Sequence, residues 1–298
     1  MGRISRLLER LDRRIATEEL KEIIARLPNE LNEFGYDEWG FSPDTAVYAL
    51  AASRWMYENY FRVETHGTGW LPEKRAVMVA NHSGQLPLDG MMISTAAILE
   101  GNPPRLPRAM VERWMPTLPW VSTFFFRCGQ VVGNRDDCQT LLEHDEAILV
   151  FPEGVRGSGK TIWQRYELQT FPSGFLRLAL RTGSPIIPIG LVGGEESIIS
   201  VYDWKAAARL FGVPYVPVPA LLPVLGPLAM LPMPTKFILH FGEPLLLEGD
   251  PDAPDAELRP LVEQVEDAVR AQIQLGLDRR RGVFDVPAID SLIPGSTP

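Results

Sequence analysis

Hydrophobic residues at Ile4, Leu7, Leu8, Leu11 and Ile15 recur at intervals of three and four, the spacing that lines one stripe of an α-helix. The opposite face of that stretch is mostly arginine: Arg3, Arg6, Arg10, Arg13 and Arg14. Leu20, Ile23, Ile24, Leu27 and Leu31 repeat the spacing over an acidic polar face, and Pro28 should kink or end this second helix because it has no N–H to donate. Ser42-Pro43 reads as an N-cap followed by proline at the first helical position and predicts a third helix running to about residue 61. Residues 1–61 are therefore expected to form an N-terminal helical region.

From Arg62 the pattern changes to short apolar runs, at 75–80, 108–111, 130–132, 147–151, 185–191 and 236–241, which read as strands. Helical patterns lie between and after them at 90–100, 119–127, 136–144, 174–182, 203–211 and 255–276. Strands alternating with helices predict an α/β domain over 62–276, with a largely parallel central sheet flanked by helices. Ligands of such sheets bind beyond the carboxyl ends of strands, so the loops that follow strands are the places to look for chemistry. Residues 277–298, with Arg279-Arg280-Arg281 and a Pro/Ser/Gly-rich end, read as a partly ordered tail.

Composition narrows the function. With 298 residues, 45% hydrophobic and 22% charged, the chain can bury a sizeable core. A formal charge of −9 argues against a nucleic-acid partner, which would need a basic face. Cys128 and Cys138 are too few for a disulfide scaffold or a thiolate metal site; two free thiols are expected, with a single bridge left open. His66, His82, His144 and His240 are widely spaced, so no metal is expected. The arginine-rich start is not followed by an uninterrupted apolar run, which speaks against a secretory signal and for the cytoplasm or the cytoplasmic face of a membrane. Residues 210–235 carry no charge and would be long enough to span a bilayer, yet seven prolines interrupt them. Each interior proline costs a helix about 3 kcal/mol, so an apolar loop packed on the protein or dipping into a bilayer surface is expected instead.

Two loops carry candidate chemistry. In 79–90 a strand delivers His82 into a turn, and Asp89 stands at the start of the next helix. Imidazole is the natural general base near neutral pH, and a carboxylate on its other nitrogen fixes the tautomer. A turn histidine, with Asp89 serving only as a helix cap, is equally compatible with these residues. In 149–161 a glycine-rich turn places Arg156 and Lys160 beside backbone N–H groups, which suits either a phosphate cradle or a surface loop with solvated cations. Gly154, Gly159, Lys160 and Thr161 also satisfy G-x-x-x-x-G-K-[ST]. A nucleotide-binding P-loop needs a long helix after the lysine and a later strand ending in aspartate. Pro172 and Gly174 cut off such a helix and neither following strand ends in aspartate, so that reading stands only as an alternative. A third element, 129–135, is a short strand ending in Arg135 and assigns nothing alone. No G-x-S-x-G elbow is present.

Taken together, these residues resemble the phospholipid/glycerol acyltransferase superfamily, in particular its lysophosphatidic acid acyltransferase group, over roughly 62–248. Asn81-His82…Asp89 is similar to the family's histidine–aspartate motif, and Gly129…Arg135 to its second block. Phe151-Pro152-Glu153-Gly154-Val155-Arg156 is similar to its phosphate-binding block, and Ile187-Pro188-Ile189 to a later hydrophobic-proline block. Four blocks in the right order are far more specific than any one. The stretch 36–43 looks like that of a bacterial subgroup that begins with a helical extension. Six residues separate His82 from Asp89 where the family usually has four, and Val155 stands where it usually has threonine.

The resemblance implies a glycerol-3-phosphate acyltransferase-like fold resting on a membrane and working in phospholipid biosynthesis. It implies His82 as general base oriented by Asp89, with no covalent acyl-enzyme, no metal and no cofactor. Arg135, Gly154 and Arg156 would hold an acceptor phosphate, Glu153 would position that loop or a glycerol hydroxyl, and Lys160 is an additional candidate. The donor would be acyl-CoA or acyl carrier protein, and the acceptor a lysophospholipid or glycerol-phosphate-type hydroxyl. A non-catalytic lipid-binding protein is a further alternative, one that would not need His82.

Overall fold

In the computed structural model, residues 14–28, 30–83, 86–111, 120–211 and 215–285 are described. The arginine-faced helix expected over 4–15 lies outside them as far as residue 13.

The strands, in chain order, are β1 (Glu64–His66), β2 (Ala76–Ala80), β3 (Arg108–Val111), β4 (Val131–Val132), β5 (Ala147–Val150), β6 (Ile186–Val192), β7 (Ser200–Asp203), β8 (Pro217–Pro219) and β9 (Ile238–Phe241). Seven of them form one sheet in the order β1-β9-β6-β2-β5-β3-β4, and β7 pairs with β8 apart from it. Within the main sheet only the β6–β9 pair is antiparallel. β2 lies at the centre, with Met78 opposite Leu149 of β5 and Ile187 of β6. Every residue of β2 and β6 is buried, as expected for strands covered on both faces.

The helices are α1 (Glu18–Ala25), α2 (Pro43–Trp55), α3 (Leu88–Leu99), α4 (Val121–Arg127), α5 (Arg135–Glu143), α6 (Val155–Ser158), α7 (Gly174–Thr182), α8 (Gly194–Ser197), α9 (Lys205–Phe211), α10 (Leu222–Leu225) and α11 (Asp255–Arg279). Alternation along β2 sorts its side chains between two layers. Val77 and Val79 pack with Leu141, Leu142, Leu176, Val265 and Val269 from α5, α7 and α11. Ala76, Met78 and Ala80 pack with Met92, Ile93 and Ala96 of α3. A third cluster joins α1 and α2 to Phe41, Ile98 and Leu106, which seats the N-terminal helices against α3. Asp37 anchors that region. It accepts the backbone N–H groups of Trp39 and Phe41, both at 2.8 Å, and pairs at 2.6 Å with the buried guanidinium of Arg108.

Several boundaries differ from expectation. The helix expected to reach residue 61 is α-helical only to Trp55 and closes with one wider turn, Met56–Tyr60, whose bonds skip an extra residue. Ser42 stands at the N-cap without a side-chain cap bond, and its backbone N–H goes to the carbonyl of Arg127 at 3.0 Å. Three strands carry no strand signal in the sequence: β1 is three residues long and polar, β7 is four mixed residues whose last was expected to open a helix, and β8 begins and ends in proline, which suits only a two-stranded edge. α11 runs past Gly276 to Arg279, so residues 277–279 belong to the helix and not to the tail. A side chain at 276 would sit 2.8 Å from Val192 Cγ2; glycine there serves close packing rather than a stop.

The uncharged segment expected as a loop contains β8, α10 and a tight turn at Gly226–Met230, and it leaves Leu221, Val224, Leu228 and Leu231 exposed. Among the described residues no helix is long and apolar enough to cross a membrane. Both cysteines are free.

Candidate active site

β2 ends at Ala80, and the chain turns at once under restraint. Asn81, buried, accepts the N–H of Leu191 at 2.8 Å and donates to its carbonyl at 3.0 Å, which ties the turn to β6. His82 follows. Its Nδ1 lies 2.5 Å from Asp89 Oδ2, so the carboxylate meets the imidazole despite the longer spacing. Asp89 sits in the first turn of α3, where the helix dipole favours a negative charge, and it is 1% exposed. The same Oδ2 accepts the N–H of Ser83 at 3.0 Å, while Oδ1 accepts the N–H of Gly90 at 2.7 Å. The carboxylate is held on three sides. The ring of His82 stacks on Phe151, the residue following β5, with centroids 4.6 Å apart.

With Nδ1 committed to Asp89, the neutral ring carries its lone pair on Nε2. Burial disfavours the imidazolium most, yet the charge and hydrogen bond of Asp89, with Glu153 assisting and Lys160 opposing, leave His82 a stronger base than an ordinary histidine.

The loop after β5 comes next. Glu153 is 2% exposed and faces inward: Oε1 accepts the backbone N–H of His82 at 2.9 Å, and Oε2 accepts that of Gln169 at 2.8 Å. It thus pins the histidine turn against its own loop and has no open side for a substrate hydroxyl. Gly154 adopts φ +54, and α6 is a single turn after it. Lys160 is buried, its Nζ 2.7 Å from Glu153 and 3.4 Å from Glu195. A P-loop lysine would instead point out to phosphates from the start of a long helix. Arg156 is exposed and donates to the carbonyl of Thr170 at 2.9 Å. Arg135, also exposed, opens α5. The structure therefore joins His82, Asp89, Glu153 and Lys160 in one cluster and leaves Arg135 and Arg156 at the surface.

Gly157 was not singled out by sequence reasoning. A Cβ there would stand 2.6 Å from Glu153 Cβ and 2.7 Å from His82 Cβ, so only glycine lets the two loops close. The glycine-rich character of 154–159 was visible, but which glycine is indispensable was not.

His82 and Asp89 open onto a cavity of about 370 Å³. Its walls are mostly apolar, with Met91, Ile98 and Phe151 from the α/β body and Ala49, Leu50 and Met56 from the N-terminal helical region. Cys128 also borders it, but burial pushes that thiol up to about 12, which leaves it no thiolate to attack with. Among the described residues no cluster of three or more candidate metal ligands occurs.

Three comparisons bear on this arrangement. The sequence profile of the acyltransferase family matches residues 62–192. A protein of Mycobacterium leprae is 39% identical over 259 residues, covering 85% of this chain and 70% of its own. A protein of Mycoplasma genitalium, named as a probable 1-acyl-sn-glycerol-3-phosphate acyltransferase, is 29% identical over 155 residues, 49% of this chain and 54% of the relative. In fold, the crystal structure of the 1-acyl-sn-glycerophosphate acyltransferase of Thermotoga maritima is similar, with a TM-score of 0.51 and 18% identity over 80% of this chain and 79% of that one.

Proposed function

Because the chain belongs to the acyltransferase family and is an O-acyltransferase, we propose that it moves a fatty acyl group from a thioester to the free hydroxyl of a lysophosphatidic-acid-type acceptor, with His82 as general base. The observation that carries this reading is one histidine, fixed by a buried carboxylate, at the wall of a mostly apolar cavity. His82 Nε2 takes the proton of the acceptor hydroxyl as its oxygen attacks the thioester carbonyl. The new C–O bond forms, the C–S bond breaks, and the proton passes to the departing thiolate. Backbone N–H groups that bind the tetrahedral oxyanion would each contribute about 3 kcal/mol. The donor is acyl-CoA or acyl carrier protein, which present the same phosphopantetheine thioester.

The apolar cavity takes the acyl chain, and the N-terminal helices form its far wall. Arg156 and Arg135, both exposed, take the acceptor phosphate. Glu153 and Lys160 support that loop from within, and Gly154 turns it. An acceptor that lives in a bilayer leaflet also implies a peripheral membrane position on the cytoplasmic face. The exposed residues Leu221, Val224, Leu228 and Leu231, together with the arginine-faced N-terminal stretch, are its contacts.

The test is transfer from labelled acyl-CoA to a panel of lysolipids offered in anionic vesicles, read by lipid chromatography and by co-sedimentation of the protein. Phosphate-bearing lysolipids should be acylated and the protein should sediment with the vesicles. No transfer to any acceptor from either donor type would sink the reading. In the same assay Ala49→Phe, which fills the cavity, should shift preference toward shorter donor chains; an unchanged chain-length profile would take the acyl chain out of this cavity.

Arg156→Ala should raise KM for a phosphate-bearing acceptor by about ten- to a hundredfold, the loss of one charge-assisted contact of about 1.5–3 kcal/mol, with kcat little changed. If KM for the donor moves instead, the loop binds the phosphates of coenzyme A.

A further inference from the structure

Behind the candidate site runs a buried chain of charges that the proposed reaction does not use. Lys160 Nζ bridges Glu153 and Glu195, at 2.7 and 3.4 Å. Glu195, in the short α8 after β6, accepts the backbone N–H of Tyr166 at 2.6 Å through its other oxygen. The Tyr166 hydroxyl meets Glu196 and accepts from the N–H of Gly193 and from Arg280, each at 3.0 Å; Arg280 pairs with Glu196 at 2.7 Å. Lys160, Glu153, Glu195 and Glu196 are all less than a tenth exposed. A charge this deep is strongly destabilised unless paired, so neither Lys160 nor its carboxylates can drift without a large penalty.

We propose that Lys160 and Glu195 are positioning residues for His82, locking the Glu153 carboxylate that holds the histidine's backbone, and that Lys160 is not a substrate-phosphate ligand. The inference rests on His82 being the base. Glu153 has one oxygen on the His82 N–H and the other shared by Lys160 and Gln169, so withdrawing Lys160 leaves a buried carboxylate without its paired charge, held by two backbone N–H groups alone, and strains the turn it holds. The charged groups facing His82 are Asp89, Glu153 and Lys160, and of these Lys160 alone weakens its hold on a proton. Burial pushes Glu195 up to about 7, with Lys160 opposing, so the carboxylate depends on Lys160 to keep its charge.

The experiment compares Lys160→Gln and Glu195→Gln with the unaltered protein by kcat, by KM for both substrates, and by the pH profile of kcat/KM. Lys160→Gln should lower kcat at least tenfold while leaving both KM values within about twofold, the pattern of a misplaced base. It should also move the acid limb of the profile to higher pH, whereas the isosteric Glu195→Gln, which leaves Lys160 less compensated, should move it to lower pH. A tenfold rise in acceptor KM with kcat and the limb unmoved would make Lys160 a phosphate ligand and overturn the proposal. Should Lys160→Gln not fold, the Glu195→Gln limb decides: an unmoved limb overturns the proposal. His82→Asn separates the underlying reading. A limb that persists there overturns His82 as the base, whereas a limb that needs His82 but ignores both variants overturns the positioning role alone.

Discussion

His82→Ala lowers kcat by about a hundred- to ten-thousandfold, the range expected when a positioned general base is removed, and leaves the fold intact. Stability should change little because His82 lies in a turn held by its backbone, through Glu153, and by Asn81 beside it. A folded variant that keeps more than a tenth of the activity would sink the assignment. The pH dependence follows from the same contacts. As the proposed base, His82 would work only when neutral. Burial disfavours its charged form, but Asp89 outweighs burial and leaves His82 above the ordinary histidine value. The acid limb of kcat/KM should therefore lie above 6.5, with activity lost as pH falls through it. Asp89→Asn removes the opposing charge, so the limb should move to lower pH while kcat falls steeply because Nδ1 loses its fixed acceptor. Near-normal kcat and an unmoved limb in that variant would mean that another group orients the ring.

Gly157→Ala should be nearly as damaging although it touches no substrate. The added methyl meets Glu153 Cβ and His82 Cβ, atoms next to the backbone that cannot rotate away. The two loops must part by a substantial fraction of an ångström. Displacing a base by that amount costs about a hundredfold in rate, and forcing a methyl into packed structure costs about 1–3 kcal/mol in stability. Steady-state kinetics and thermal unfolding check the two effects separately. Normal kcat with normal stability would show that the loops do not close on each other as described.

Local pattern made much of this legible beforehand. Strand-to-helix alternation yielded the α/β body and its largely parallel sheet, because a strand buried on both faces must read as a continuous apolar run, as 147–150 and 186–192 do. The pairing of His82 with Asp89 could be suspected because it spans a single turn and the helix that follows it. The strands that were missed, β1, β7 and β8, are short and carry polar residues or proline, and only their neighbours make them strands.

The interior of the phosphate-block loop is another matter. Arg156 and Lys160 look alike in the sequence, two cations in a glycine-rich turn, yet one is exposed and the other is buried between two carboxylates. His82 and Glu153 are 71 positions apart, Lys160 and Glu195 are 35 apart, and Asn81 and Leu191 are 110 apart. They meet because β5 and β6 flank β2 in the sheet, so the loops leaving their carboxyl ends converge. The class of fold and the two candidate residues were legible from spacing within an element or one turn, but that Asp89 meets the imidazole and does not merely cap its helix follows from the fold. Which cation faces outward, which glycine must stay glycine and what holds the histidine emerge once the chain is packed, because desolvation and steric contact depend on neighbours that sequence distance does not reveal.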